Sequence, residues 1–232
     1  MLLEQERPNL TRLRFSYFLL LLCTNRKRTP AESIVLFIHD TASLNKHMDF
    51  QSFSHGQMHS KIWLSEMLET YLKPDSRILI LGCWHNVMGM ILMIRNPHLG
   101  LKIMGIDIDP EVIEVADKLT EAWRFEEYNP FKNELADANT YDYDQYDVII
   151  NCSVEHMDSN TWFDNIPKGK LVCIQSMSLG IVNDPIYKIK NPNTTLETFL
   201  DKFKLSDVKF LGSKDFDYEI NPYSRYCVIG YK

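Results

Sequence analysis

Short, continuous apolar runs alternate along this chain with longer segments whose apolar residues recur every three or four positions. His59 to Leu72 places Ile62, Trp63, Met67, Leu68 and Tyr71 at helical spacing, and Pro74 closes the segment. Arg77-Ile78-Leu79-Ile80-Leu81 is apolar on both faces and ends at Gly82, as a buried parallel strand does. Val87 to Ile94 predicts a packed helix that stops at Asn96-Pro97. Leu101 to Ile106 predicts a second strand, closed by Asp107. Asp109-Pro110-Glu111 has the chemistry of a helix start, with a capping acid, a proline at the first helical position and a further acid in the first turn; the helix runs to about Arg124. Tyr128 to Gln145 is polar and aromatic and reads as loop, with one short strand near Glu134–Ala136. Asp147–Asn151 and Lys170–Gln175 are further strands, separated by a short helix at Thr161–Asn165 and the turn Pro167-Lys168-Gly169. Thr195–Phe203 is a helix with Leu196, Phe199 and Leu200 inward. Ser206–Leu211 and Tyr226–Tyr231 end the series as two strands able to pair across an aromatic loop holding Tyr218 and Asn221-Pro222.

Strands alternating with helices imply a doubly wound α/β fold, a mostly parallel seven-stranded sheet covered on both faces, here with its last strand antiparallel. Ligands in such folds sit outside the carboxyl ends of the strands. That directs attention to the residues after Leu81, Ile106, Ile150 and Ile174. The regular pattern occupies residues 48–232, one domain. Residues 1–47 read differently. Phe15 to Cys23 is apolar but short of the roughly 20 residues of a membrane span. It runs directly into Arg26, Lys27 and Arg28 without a small-residue cleavage site. A second apolar patch, Ile34–Ile38, has strand character. The segment is treated as a poorly specified extension, with an added helix, a partner-binding arm and a targeting segment as the alternatives.

Composition narrows the class. A chain of 232 residues with 45% hydrophobic and 24% charged residues is globular rather than disordered. Its net charge of −6 argues against a dedicated duplex-DNA binder and favours a small-molecule substrate over nucleic acid. Five cysteines, odd in number and without a C-x-x-C pair, form neither a disulfide framework nor a zinc ribbon. Three lie in apolar strand runs as small hydrophobes, which implies a reducing, cytoplasmic compartment. Stable membrane insertion is not anticipated. His55 and His59 share a helical face, but no third ligand is positioned beside them, so no metal site is assigned.

Candidate chemistry clusters at the strand ends. Gly82 either lets a ligand approach the turn or merely ends a strand. Asp107, closing the second strand, suits the two hydroxyls of a ribose; Asp109 is better explained as a helix cap. Asp137 and Ala138 can offer a carboxylate and a backbone N–H to a base. Asn151 is followed by Cys152, Ser153, Glu155 and His156, titratable groups directly after a buried strand. Glu155 or His156 could orient a nucleophile or remove its proton, or could instead bond the local backbone. Cys152 lacks a base beside it in sequence and reads as packing.

With those residues in hand, the order LILGCW, GIDIDPEVIEVA, ADA, DVIINCSVEHM and PKGKLVCIQ resembles the class I S-adenosylmethionine-dependent methyltransferases from about Ser54 to the C-terminus. The resemblance implies S-adenosyl-L-methionine as cofactor. Gly82 would line its methionine part, Asp107 hold its ribose, Asp137 and Ala138 face its adenine and Asn151 sit beneath the sulfonium, with Trp84 and Ile108 as further cofactor-binding residues. The first motif departs from the family pattern: the usual acid two residues before the first glycine is Ile80, and the next two glycines are Trp84 and Asn86. Lys61, on the helix before the first strand, could compensate by pairing with the cofactor's carboxylate, with Gln57 and Ser60 nearby. The implied activity is methyl transfer to a small molecule or to an exposed group of a larger one. The alternatives are aminoalkyl transfer or cleavage of the same cofactor, and a non-catalytic adenosyl-binding module.

Overall fold

Seven strands, β1 (Arg77–Leu81), β2 (Lys102–Asp107), β3 (Phe131–Leu135), β4 (Val148–Asn151), β5 (Leu171–Met177), β6 (Asp207–Phe216) and β7 (Tyr223–Tyr231), pair into one sheet in the order β3-β2-β1-β4-β5-β7-β6. This computed structural model describes residues 49–123, 129–178, 188–216 and 222–232. The N-terminal extension, Arg124, Tyr218 and Asn221 lie outside the described residues. β1 to β5 are mutually parallel, and β7 pairs antiparallel with both β5 and β6. The anticipated doubly wound sheet with its antiparallel last strand is therefore present.

The continuous apolar runs are explained by burial on both faces. Ile78, Ile80, Val148, Ile150 and Cys173 enter one core with Leu64, Leu68, Val87, Val115 and Leu119. Their neighbours Leu79, Leu81, Ile149, Val172 and Ile174 enter a second core with Trp162, Phe163, Phe199 and Phe203. A period of two thus splits each strand between two cores. The first is covered by α1 (His55–Leu68), α2 (Val87–Arg95) and α3 (Pro110–Thr120), the second by α4 (Thr161–Asp164) and α5 (Leu196–Lys202). Asp109 caps α3 as anticipated, accepting from the Glu111 N–H at 2.9 Å.

Several elements exceed their expected bounds, α1 beginning at His55 and β5 running to Met177 among them. β3 begins at Phe131 and pairs with β2 over five residues, because fully buried Phe131 anchors its start. The final hairpin runs to Phe216 and resumes at Tyr223, whose rings stack at 5.2 Å and 10°. β6 is an edge strand with mostly exposed residues, so its polar second half carries no apolar signature. The aromatic residues after β3 also belong to the core: Tyr143 and Tyr146 are buried, and the Tyr143 hydroxyl donates to the Ala138 carbonyl at 2.6 Å.

Candidate functional site

The topological switch falls between β1 and β4, whose last residues Leu81 and Asn151 are paired. From Leu81 the chain enters a loop with three left-handed residues in five: Gly82 (φ 54°), Trp84 (φ 50°) and Asn86 (φ 51°). Trp84 and Asn86 occupy the positions where the resembled family carries glycines, and they adopt glycine-like backbone all the same. Such conformations are costly for larger side chains, so local contacts must hold them. The Cys83 N–H donates to the Ile106 carbonyl at 2.9 Å, and the Asn86 N–H to the Cys83 carbonyl at 2.8 Å. Asn86 is fully buried, and its Nδ2 donates to Asn133 Oδ1 at 2.7 Å. Asn133 in turn donates to Asp117 and Thr120. Gly82 serves close packing as well as the turn, since a Cβ there would lie 3.0 Å from the Ser153 Cβ. The Ser153 hydroxyl donates to the Gly82 carbonyl at 3.0 Å, which joins the loops after β1 and β4.

Asp107 faces this loop. Its Oδ2 accepts the Trp84 N–H at 3.0 Å and its Oδ1 the Asp109 N–H at 3.2 Å. Partial burial raises its pKa, with the backbone N–H groups opposing the shift. The Ile108 N–H is also turned to this carboxylate, and a carboxylate's four acceptor positions leave capacity beyond these backbone donors. Beside it Ile108 is 73% exposed, an apolar side chain left at the carboxyl end of the sheet. Asp137 is also exposed, with the Asn139 backbone and side chain donating to its Oδ1, and Ala138 is buried. These groups fit the sugar and base of an adenosyl group: a part-buried carboxylate for two hydroxyls, an apolar side chain for a ring face and a second carboxylate for an amine. Asn151 is occupied within its own loop, accepting the Ser153 N–H at 2.9 Å and donating to Met157 Sδ at 3.3 Å. A separate cavity of about 320 Å³, with Asp117, Phe131 and Asn133 among its walls, includes none of these groups.

His85, in the same loop, received no role from the sequence. Its Nδ1 lies 2.9 Å from the Ser52 hydroxyl, which itself donates to the Asp49 carbonyl. The serine proton being used, Nδ1 carries the hydrogen and Nε2 is a bare acceptor. That Nε2 is buried and unpartnered. Burial holds the ring's pKa down at about 4, so it is neutral at pH 7.

A second polar group of residues lies toward β5 and β7. Lys61 is 7% exposed and bonds Gln57; burial lowers its pKa to about 8, and its electrostatic neighbours are Cys152, Arg225 and Glu155. The backbone carbonyl of Ser60, the residue before Lys61 on α1, accepts from buried Gln175 on β5 at 3.0 Å. Glu155 is buried, and its Oε1 accepts from Arg225 Nη1 at 3.0 Å. His156 is exposed, with its Nε2 3.9 Å from Glu155 Oε1 and its Nδ1 3.4 Å from the Lys188 carbonyl. Burial pushes the Cys152 thiol up to about 11, so it is protonated at neutral pH and unsuited to nucleophilic attack. The geometry thus brings Lys61, Glu155 and His156 into one neighbourhood and Gly82, Trp84, Asp107 and Ile108 into another. Arg225 and Gln175 were missed by sequence reasoning; the only signal was a lone arginine and a glutamine inside apolar strands.

Among the described residues, no His, Cys, Asp or Glu cluster could hold a metal ion, and no helix is long and apolar enough to cross a membrane.

No protein-family model matches this sequence, and no curated protein sequence does. Solved structures do share its fold. The N-methyltransferase NodS from Bradyrhizobium japonicum WM9 is similar at a TM-score of 0.51 and 13% identity, over 76% of this chain and 97% of its own. Phosphoethanolamine N-methyltransferase 2 from Haemonchus contortus, solved with S-adenosyl-L-methionine, gives 0.50 and 11% over 83% of this chain and 61% of its own. The [4+2]-cyclase SpnF gives 0.55 and 11% over 75% and 82%. The fold is that of the class I S-adenosylmethionine-dependent methyltransferases. At these identities the likeness is one of architecture, and the chemistry has to be argued from the residues.

Proposed function

We propose that this protein is an S-adenosylmethionine-dependent methyltransferase acting on a small molecule or on an exposed group of a larger substrate. The carrying observation is Asp107: a part-buried carboxylate at the end of β2, with both oxygens held by backbone N–H groups and exposed Ile108 beside it. In this reading Asp107 takes the ribose hydroxyls, Ile108 and Ala138 flank the adenine, Asp137 accepts from its amine, and Gly82, Trp84 and Asn151 border the methionine part. The cofactor, when bound, supplies an electrophilic methyl group. The chain's own task is to place the acceptor behind that methyl and exclude water. A general base is needed only for an acceptor that is protonated at the working pH. Glu155 is committed to Arg225, which leaves His156 as the exposed candidate.

Calorimetry with S-adenosylmethionine and S-adenosylhomocysteine tests the reading; absence of binding to both overturns it. The [4+2]-cyclase on the same fold keeps a second reading in play, in which the cofactor is cleaved, donates its aminoalkyl group or is bound without transfer. Product analysis separates these, since methyl transfer releases S-adenosylhomocysteine and the others release methylthioadenosine, homoserine lactone or nothing. The buried free thiols Cys83, Cys173 and Cys227 support a reducing, cytoplasmic setting for this activity.

A further inference from the structure

In the charged group of residues near β7, one edge of the Arg225 guanidinium is unpaired. Arg225 is 1% exposed and uses Nη1 for Glu155 Oε1, while its Nε and Nη2, and the second oxygen of Glu155, are buried and unpartnered. Those two N–H groups form one side of the guanidinium, the parallel pair that binds a carboxylate through both oxygens. Leaving both unpaired in the interior is costly, and Glu155, which holds Nη1 through one oxygen, bonds neither of them. Charge selects the acceptor. Arg225 and Glu155 cancel, and Lys61, nearly buried and electrostatically coupled to both, adds one positive charge. A carboxylate monoanion makes the group neutral, whereas a phosphate dianion leaves it negative.

The position favours the acceptor over the cofactor's sugar. Arg225 pairs with Met177 at the end of β5. In the sheet, β7 is four strand spacings from β2 and Asp107, roughly 19 Å at 4.8 Å per spacing. We propose that the Nε/Nη2 edge of Arg225, with Lys61, is the subsite for a carboxylate on the methyl acceptor, in place of the cofactor carboxylate expected for Lys61 from the sequence, so that the substrate is a carboxylate-bearing small molecule. This rests on the methyltransferase reading above.

The test uses the full chain saturated with S-adenosylhomocysteine, and follows the Arg225 Nε–Hε resonance by side-chain nitrogen NMR. Arg225→Lys identifies that resonance, or its contacts to Glu155 do so if the variant does not fold. Acetate should shift it saturably, acetamide should leave it unmoved, and methyl phosphate should bind more weakly than acetate. Lys61→Gln should raise the acetate Kd at least fivefold. A resonance unmoved by acetate in protein that binds S-adenosylhomocysteine overturns the subsite and leaves the methyltransferase reading intact. An acetate response seen only without S-adenosylhomocysteine assigns the edge to the cofactor's own carboxylate and overturns the acceptor assignment. Tighter binding of methyl phosphate overturns the carboxylate class. Failure to bind S-adenosylhomocysteine at all, with acetate still bound, removes the methyltransferase reading and with it the acceptor role.

Discussion

The backbone N–H of Trp84 donates to Asp107 Oδ2 at 3.0 Å, which ties the loop after β1 to the carboxylate that ends β2. One side chain therefore latches a strained loop and, on the proposed reading, takes the ribose hydroxyls. Asp107→Ala should weaken S-adenosylhomocysteine binding by about 2–4 kcal/mol, since charge-assisted hydrogen bonds and the latch are lost together. Asp107→Asn should recover little. Both carboxylate oxygens already accept backbone N–H groups, so the amide nitrogen of asparagine would face a donor on one side. Calorimetry on both variants checks this, and unchanged affinity in the alanine variant would place the adenosyl group elsewhere.

The loop is supported from below by Gly105 on β2. A Cβ there would lie 2.6 Å from Asn86 Nδ2, 2.8 Å from Asn133 Oδ1 and 2.9 Å from Cys83 Sγ. None of these atoms is the end of a long flexible chain, and two of them form the hydrogen bond that holds left-handed Asn86. Gly105→Ala should therefore cost about 2–3 kcal/mol of stability, as overpacked core positions do. It should also weaken cofactor binding, although Gly105 lies beneath the loop. Urea denaturation and calorimetry on one preparation would show both effects; a stable variant with full affinity contradicts the account.

The sheet was legible because strands buried on both faces must be apolar throughout, as Ile78 to Leu81 and Val148 to Ile150 are. Asp107 and Asp109 were legible because carboxylates at a strand end and at a helix start have distinct local chemistry. Other features were invisible for physical reasons. β6 is exposed on its edge, so nothing in Ser213-Lys214-Asp215 marks it as strand. Arg225 and Glu155 are 70 residues apart, and their pairing follows from β7 lying beside β5, a long-range fact that no local pattern encodes. His85 sits in a motif where attention falls on the glycine positions, and its partner Ser52 lies on the 3-10 turn Phe50–Phe53, ahead of the first regular helix.

His85 should give the protein an acid-sensitive stability. Its folded pKa is depressed to about 4 by burial, whereas an unfolded chain protonates near the ordinary value of 6.5. Between those values the unfolded state binds more protons, so stability falls as pH falls through the window. The full loss from pH 7 to pH 4 is at most about 3 kcal/mol from this group. Gln in place of His85 removes the titration, so the wild-type excess in stability loss on going from pH 7 to 4.5 should vanish in His85→Gln. Parallel urea titrations at pH 7, 5.5 and 4.5 measure it, and identical pH slopes in the two proteins would show that the imidazole titrates normally.

The Arg225–Glu155 pair is 2% and 1% exposed at its side chains and joined at 3.0 Å. Burying two charges is expensive, and their attraction offsets that cost only while both are present. Arg225→Met leaves the Glu155 carboxylate in the interior without its partner, so a loss of about 3–5 kcal/mol is expected. Glu155→Gln keeps an oxygen able to accept from Arg225 Nη1 but removes the countercharge, leaving a buried guanidinium without its anion, and should also destabilise. Replacing both removes the unpaired charge, so Arg225→Met with Glu155→Gln should be more stable than the sum of the single losses by about 2 kcal/mol or more. Urea denaturation of the four proteins closes the cycle. Additive losses would mean that water already solvates the pair, and the guanidinium edge would then be hydrated surface with no built-in demand for a carboxylate.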